Sequence, residues 1–300
     1  MSNGNNQHRQ TMKKILLLCA TLLVFAAGAR GQEWITTTTS KGLKGPVRSM
    51  HWIVVDSSTC KWQGCVKDPP TLIESMYWVF SPDGLLLEAS SHNSRNGAAM
   101  SESWHYDKRR RPTQVLQMWA DRAVCWEFRY DGNRVRSYTV YSDDSDDDTV
   151  IYRCDYDRKG HLLSVTEEGE HACPYVDLYT DGFLVEINNG TWHVVFVRDG
   201  RGELLKDSTY NIESDFDEHG EWKCWPRDTA IETNEYFYTP NGDLAEIHKV
   251  EYGKKAVTTY RYLEYDSYGN WTRRKVLYLR DNENVVCDEI RLIIYYKETQ

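Results

Sequence analysis

One short pattern recurs through most of this chain and limits what it can fold into. An aromatic residue is followed by Asp or an equivalent, two variable residues, a glycine, and then a large apolar residue. Tyr265-Asp266-Ser267-Tyr268-Gly269-Asn270-Trp271 is one copy. A type I turn favours Asp, Asn or Ser at its first position, Pro at its second and Gly at its fourth. Asp266 can bond backbone two residues on as an Asx-turn, and Gly269 accepts positive φ at little steric cost. Tyr265 and Trp271 flank the turn with high β propensity.

The same grammar recurs with other letters. Phe80-Ser81-Pro82-Asp83-Gly84-Leu85 and Tyr238-Thr239-Pro240-Asn241-Gly242 carry Pro at the second turn position, while Tyr156-Asp157-Arg158-Lys159-Gly160 and Phe216-Asp217-Glu218-His219-Gly220 repeat the Asp form. Asp199-Gly200-Arg201-Gly202 and Tyr179-Thr180-Asp181-Gly182 are looser, Tyr106-Asp107-Lys108-Arg109-Arg110 lacks the glycine, and Tyr130-Asp131-Gly132-Asn133 reads as a shorter turn. About nine copies, spaced by roughly 18–27 residues, fall in the range of repeat architectures. Asn188-Asn189-Gly190 adds a further hairpin signal between Phe183–Ile187 and Trp192–Arg198.

Between the turns the chain reads as strands. Val47–Val55 is the first and Val285–Tyr296 the last, where Val286, Ile290, Leu292, Ile294 and Tyr296 share one face with Asp288 as the exception. Thr59–Thr71, with Cys60, Cys65 and Pro69-Pro70, reads as a loop that interrupts the first hairpin. Helical spacing of apolar residues is absent where turn signals come so often. The expected fold is all-β: a single domain of repeated antiparallel hairpins forming a meandering, curled or partly closed sheet.

The N-terminal region has another character. Met12-Lys13-Lys14 opens a basic segment, Ile15–Ala27 is apolar but short for a membrane span, and small residues follow to Ala29. Residues 1–31 are therefore expected to be a signal peptide, cleaved near Ala29 to Gln32, with 1–11 a mis-assigned start if Met12 is the true one. Residues 32–300 form the repeat domain, with no membrane span in the mature chain. The match of Leu16-Leu17-Leu18-Cys19 to a lipobox has too short an apolar run before it. The expected location is secreted, periplasmic or cell envelope. Seven cysteines follow the signal region, and Cys60 with Cys65 is the local pair that spacing favours.

Tyr-Asp-x-x-Gly followed by an apolar strand resembles the YD, or RHS, repeat. Tyr156–Leu162 and Tyr265–Trp271 are the nearest copies. Gly269-Asn270-Trp271-Thr272-Arg273-Arg274 and Leu43-Lys44-Gly45-Pro46-Val47-Arg48-Ser49 resemble small secreted RHS-like proteins of Bacteroidetes-type bacteria. The resemblance covers about residues 43 to 296. It implies β-sheets that curl into spirals or shells, and an exported, surface-associated or periplasmic protein. Large members of that family enclose a C-terminal toxin; here the repeats run on to the end of the sequence.

Chemistry is weakly marked. No G-x-S-x-G or cysteine-nucleophile context is present. His105, His161, His171, His193, His219 and His248 are scattered. Asp144, Asp146 and Asp148 have the spacing of a calcium loop, but Thr149 stands where the turn needs Gly and Asp155 where the bidentate Glu belongs. The block Ser142–Asp148 is then a solvated loop. Lys108–Arg111 and Arg273–Lys275 read as turn and edge charges. A net charge of −9 argues against nucleic acid as a partner. Trp104, Trp119, Trp126, Trp192, Trp222, Trp225 and Trp271 read first as cross-strand pairs and second as a stacking platform for sugar rings or peptides. Asp148-Thr149-Val150, Asp207-Ser208-Thr209 and Asp228-Thr229-Ala230 resemble an O-glycosylation signal of Bacteroidetes. No catalytic, cofactor-binding or metal residue is singled out, and no cofactor is expected. The expected function is an exported non-enzymatic binding or structural protein, its partner a surface glycan or protein; the alternative is a carbohydrate-binding module or carbohydrate-active enzyme. Convergent carboxylates beside an exposed Trp in a cleft favour the alternative.

Overall fold

A computed structural model describes residues 42–56, 71–94, 96–143, 149–169, 175–181, 183–216, 222–280 and 283–297. The signal region, the Cys60–Cys65 loop, the core of the acidic run and the Asp217–Gly220 turn lie outside the described residues. The described residues contain strands and turns and no helix. The strands are β1 (Val47–Asp56), β2 (Thr71–Phe80), β3 (Leu86–Asn93), β4 (Ala99–Tyr106), β5 (Pro112–Trp119), β6 (Ala123–Asp131) and β7 (Arg134–Ser142). They continue as β8 (Val150–Tyr156), β9 (Leu162–Glu167), β10 (Val176–Thr180), β11 (Phe183–Asn188), β12 (Trp192–Arg198) and β13 (Leu204–Phe216). The last six are β14 (Trp222–Pro226), β15 (Glu232–Tyr238), β16 (Leu244–Glu251), β17 (Lys254–Tyr265), β18 (Trp271–Arg280) and β19 (Glu283–Tyr295).

Each strand pairs antiparallel with its sequence neighbour, except that β14 and β15 both pair with β13 rather than with each other, and β1 pairs with both β2 and β19. The sheet therefore closes on itself, which goes beyond the curled or partly closed form that repeats alone imply. An all-antiparallel ring needs an even number of strands. The described residues form 19, of which 18 close the ring. The parity is kept by β14 and β15, which lie one after the other along the same edge of β13 and share one place.

The two rims differ. Six turns at one rim share one hydrogen-bond scheme, starting at Ser81, Asp107, Asp157, Asp199, Thr239 and Asp266. In each, the first residue's N–H donates to the fifth carbonyl and the fourth N–H donates to the first carbonyl. The first side-chain oxygen accepts the fifth N–H at 2.8–3.1 Å. Gly269 takes φ 79° there, and in the copy without glycine Arg110 is forced to φ 64°. The preceding tyrosines explain the rest of the motif. Tyr106, Tyr130, Tyr156 and Tyr238 donate their hydroxyls to the carbonyls of Leu86, Pro112, Val135 and Leu204, each at the start of a neighbouring strand; at the Asp266 turn Tyr262, three residues before the motif's Tyr265, does so to Leu244, while Tyr265 donates to Asp243. The repeat is thus a device for locking neighbouring strands together at one rim. Tyr296 does the same across the closing seam, donating to the Phe80 carbonyl. Asn270 completes that seam: its side chain accepts from Lys44 N at 2.7 Å and donates to Lys44 O at 2.8 Å.

Alternation sends one set of side chains into the barrel and the other out. On the β2 to β11 side the interior is filled by Phe80, Trp104, Trp126, Phe128, Tyr138, Tyr152 and Ile187, among others. Barrels of 16–18 strands enclose more room than one layer of side chains fills, and the β12 to β17 side remains partly open. The outer wall carries ion pairs in mid-strand, among them Lys206–Glu235 and Lys275–Asp288.

Two expectations need correction in detail. Ala99–Tyr106 is a full strand that sequence patterning passes over, because its outward residues are Ala99, Ser101, Ser103 and His105. In β19 the apolar face is the outer one: Leu292 and Ile294 are more than half exposed, while Cys287 and Glu289 are buried.

Candidate functional site

The open half of the interior is a cavity of about 760 Å³. Its wall combines Trp192, Phe196, Tyr236 and Tyr238 with Asp207, Glu232 and Asn234, and Tyr252 stands at its edge. The register places these side chains together. Phe196 faces Asp207 across β12–β13, Asp207 faces Asn234 across β13–β15, and Asn234 faces Lys249 across β15–β16. A row of inward positions on β13, β15 and β16 is therefore polar, with Phe196 of β12 beside it.

The polar row is tightly bonded. Asp207 Oδ2 accepts from the Tyr236 hydroxyl at 2.5 Å and Oδ1 from Asn234 Nδ2 at 2.9 Å. The same Asn234 nitrogen donates to Glu232 Oε1 at 2.9 Å. Lys249 Nζ lies 3.0 Å from Glu232 and 3.1 Å from Glu251. Burial holds the Asp207 carboxyl above the usual range, against the lowering effect of its Tyr236 and Asn234 hydrogen bonds. Arg198 closes one end of the cavity, donating to the Gly202 carbonyl at 3.0 Å.

Other residues singled out in the sequence are placed elsewhere. Trp104, Trp126 and Trp271 are buried in the wall, Trp225 is exposed on β14, and Trp192 lines the cavity. Arg110 and Arg111 pair with Asp83 and Asp107 at the regular rim. His161 and His248 pair with Asp157 and Glu246. Among the described residues no group of three or more His, Cys, Asp or Glu is placed to hold a metal ion. Cys224 is disulfide-bonded, whereas Cys125 and Cys154 are free thiols. Sequence reading missed Asp207, Glu232, Asn234 and Tyr236. Their signal is a polar residue at every second position of Thr209–Asp207 and Glu232–Tyr236, on the parity that faces inward.

No family model matches the sequence, and no curated protein matches it. Among solved structures, the chain is similar to a porin-like protein from Bacteroides uniformis, with 9% identity, 84% of this chain and 98% of that chain covered, and a TM-score of 0.44. It is also similar to part of the TcdB2-TccC3-TEV structure, with 14% identity, 75% of this chain and 14% of that chain covered, and a TM-score of 0.18.

Proposed function

We propose that this chain is an exported, non-enzymatic binding protein that takes a small carbohydrate in its barrel cavity. The observation that carries the reading is the cavity wall itself, where aromatic side chains lie beside a fixed row of carboxylate and amide groups. Ligand sites generally pair an apolar lining with a few placed polar groups. Sugars present both an apolar ring face and hydroxyls, which fit aromatic faces and planar acceptors respectively.

Binding is favoured over hydrolysis by one detail. A glycosidase needs two carboxylates flanking the scissile bond with room for substrate between them. Here the Asn234 amide bridges Asp207 and Glu232 at 2.9 Å to each, and fills that gap. Export is supported by the basic and apolar segment from Lys13 to Ala27 and by the disulfide at Cys224, a bond of oxidising compartments. The mid-strand ion pairs of the outer wall support a water-facing barrel, since charges are destabilising on a lipid-facing wall. The tyrosine-locked Asp-Gly turns support kinship with YD-type repeats.

A glycan array probed with residues 32–300, followed by calorimetric titration of the hits, tests the reading. Trp192→Ala and Asn234→Ala should each weaken a genuine hit by about tenfold or more. Hits that survive both substitutions unchanged, or release of reducing sugar from a bound glycan, would sink it.

A further inference from the structure

A second feature of the interior lies at the closing seam, away from the cavity row. Arg291 on β19 and Trp52 on β1 are direct cross-strand partners facing inward. The Arg291 guanidinium carbon lies 3.6 Å from the centroid of the Trp271 ring. Stacked in this way, a guanidinium keeps its N–H edge directed sideways and available. Arg291 Nε and Trp52 Nε1 are both buried, and neither has a hydrogen-bond partner among the described residues.

The neighbouring charges do not meet this need. Glu289 is held by Arg274 through contacts of 2.8 and 2.7 Å, and Arg274 donates to the Tyr262 hydroxyl at 3.1 Å. Asp243 accepts from the Tyr265 hydroxyl at 2.8 Å. Glu74 lies beyond Val54 in the row that runs from Glu289, and burial together with Glu289 raises its pKa, which favours its neutral form. Burial and the adjacent Arg274 charge pull Arg291 down to about 9, against the smaller raising effects of Glu289, Tyr262 and Asp243, none of which is bonded to it. An arginine keeps its charge through ordinary pH, and a buried charge without a partner is strongly unfavourable. Indole N–H is a donor only. Two unpartnered donors on paired residues, one of them charged, call for an acceptor that is itself negative; a neutral carbonyl would satisfy the N–H groups and leave the charge.

We propose that Arg291 and Trp52 form an oxyanion site inside the seam, which takes the carboxylate or phosphate group of a small ligand. The site stands on its own residues and does not depend on the sugar reading of the cavity. Calorimetric titration of the intact mature chain with inorganic phosphate and, separately, with butyrate tests it, with sodium chloride held constant to fix the screening. Saturable binding of at least one anion is expected, and which anion binds assigns the source chemistry. Arg291→Gln should weaken that binding by about tenfold or more, and Trp52→Phe, which keeps the ring and removes only the donor, by several-fold. Arg291→Gln also removes an unpaired buried charge, so it should fold at least as well as the parent. Saturation by neither anion below about 10 mM, or unchanged affinity in Arg291→Gln, would overturn the proposal.

Discussion

Asp177 gives the sharpest test of how the barrel interior is built. It sits on β10, 5% exposed, among Tyr138, Tyr152, Tyr175, Tyr179 and Cys154, and its Oδ1 has no hydrogen-bond partner. Tyr175 donates to the carboxyl, but burial dominates and pushes it from 3.8 up to about 7. An acid raised in the folded state binds its proton more tightly there than in the unfolded chain. Its contribution is therefore complete below about pH 4 and declines as pH rises, until the folded group ionises near pH 7. At about 1.4 kcal/mol per unit, the loss across that window is at most about 4 kcal/mol, and local wetting of the ionised group would reduce it. Asp177→Asn keeps the shape and cannot ionise. Urea unfolding of both proteins between pH 4 and 8 is the assay. The stability of the Asn variant relative to wild type should climb through the window by a few kcal/mol and level off above about pH 7. All other titrating groups are common to both chains, so parallel pH–stability curves would refute the reasoning.

Two further predictions concern the regular rim and the seam. Arg110→Gly should raise stability by up to about 1 kcal/mol, because φ 64° is strained for arginine and the Asp83 ion pair it loses is exposed; a lower urea midpoint would contradict this. Asn270→Ala should lower stability by about 3 kcal/mol, since Asn270 is 2% exposed, two of its hydrogen bonds reach Lys44 across the closure and a third reaches Tyr295 on β19; an unchanged thermal midpoint would show that the seam is held elsewhere.

The strands and the turns were legible in the sequence because they rest on local chemistry. Asp266, Gly269 and Tyr262 act within one hairpin or on its neighbour, and short-range geometry dictates those residue types. Closure was not legible, because it depends on β1 meeting β19, and no local pattern states how many strands complete a turn. Parity was also ambiguous. The apolar side of Val285–Tyr296 suggests an inward face, yet Leu292 and Ile294 point out while Glu289 and Arg291 point in. The candidate site was obscured for the same reason. Asp207, Glu232 and Asn234 are ordinary polar residues in alternating strands until closure decides that their side is the interior. The partners of Asp207 (Asn234 and Tyr236) lie 27 and 29 positions further along the chain.

The tyrosine locks also bear on how such a barrel can change size. Each lock joins a tyrosine to a carbonyl on an adjacent strand, so no lock senses the total number of strands. The antiparallel ring, however, admits only pairs. Duplication of one hairpin would add two strands with a ready-made turn and lock, and would widen the interior in a fixed step. Deletion would narrow it by the same step. A lineage of such chains could thereby sample a ladder of cavity widths by whole-hairpin gain or loss, leaving the residues of the existing wall to be refined one at a time.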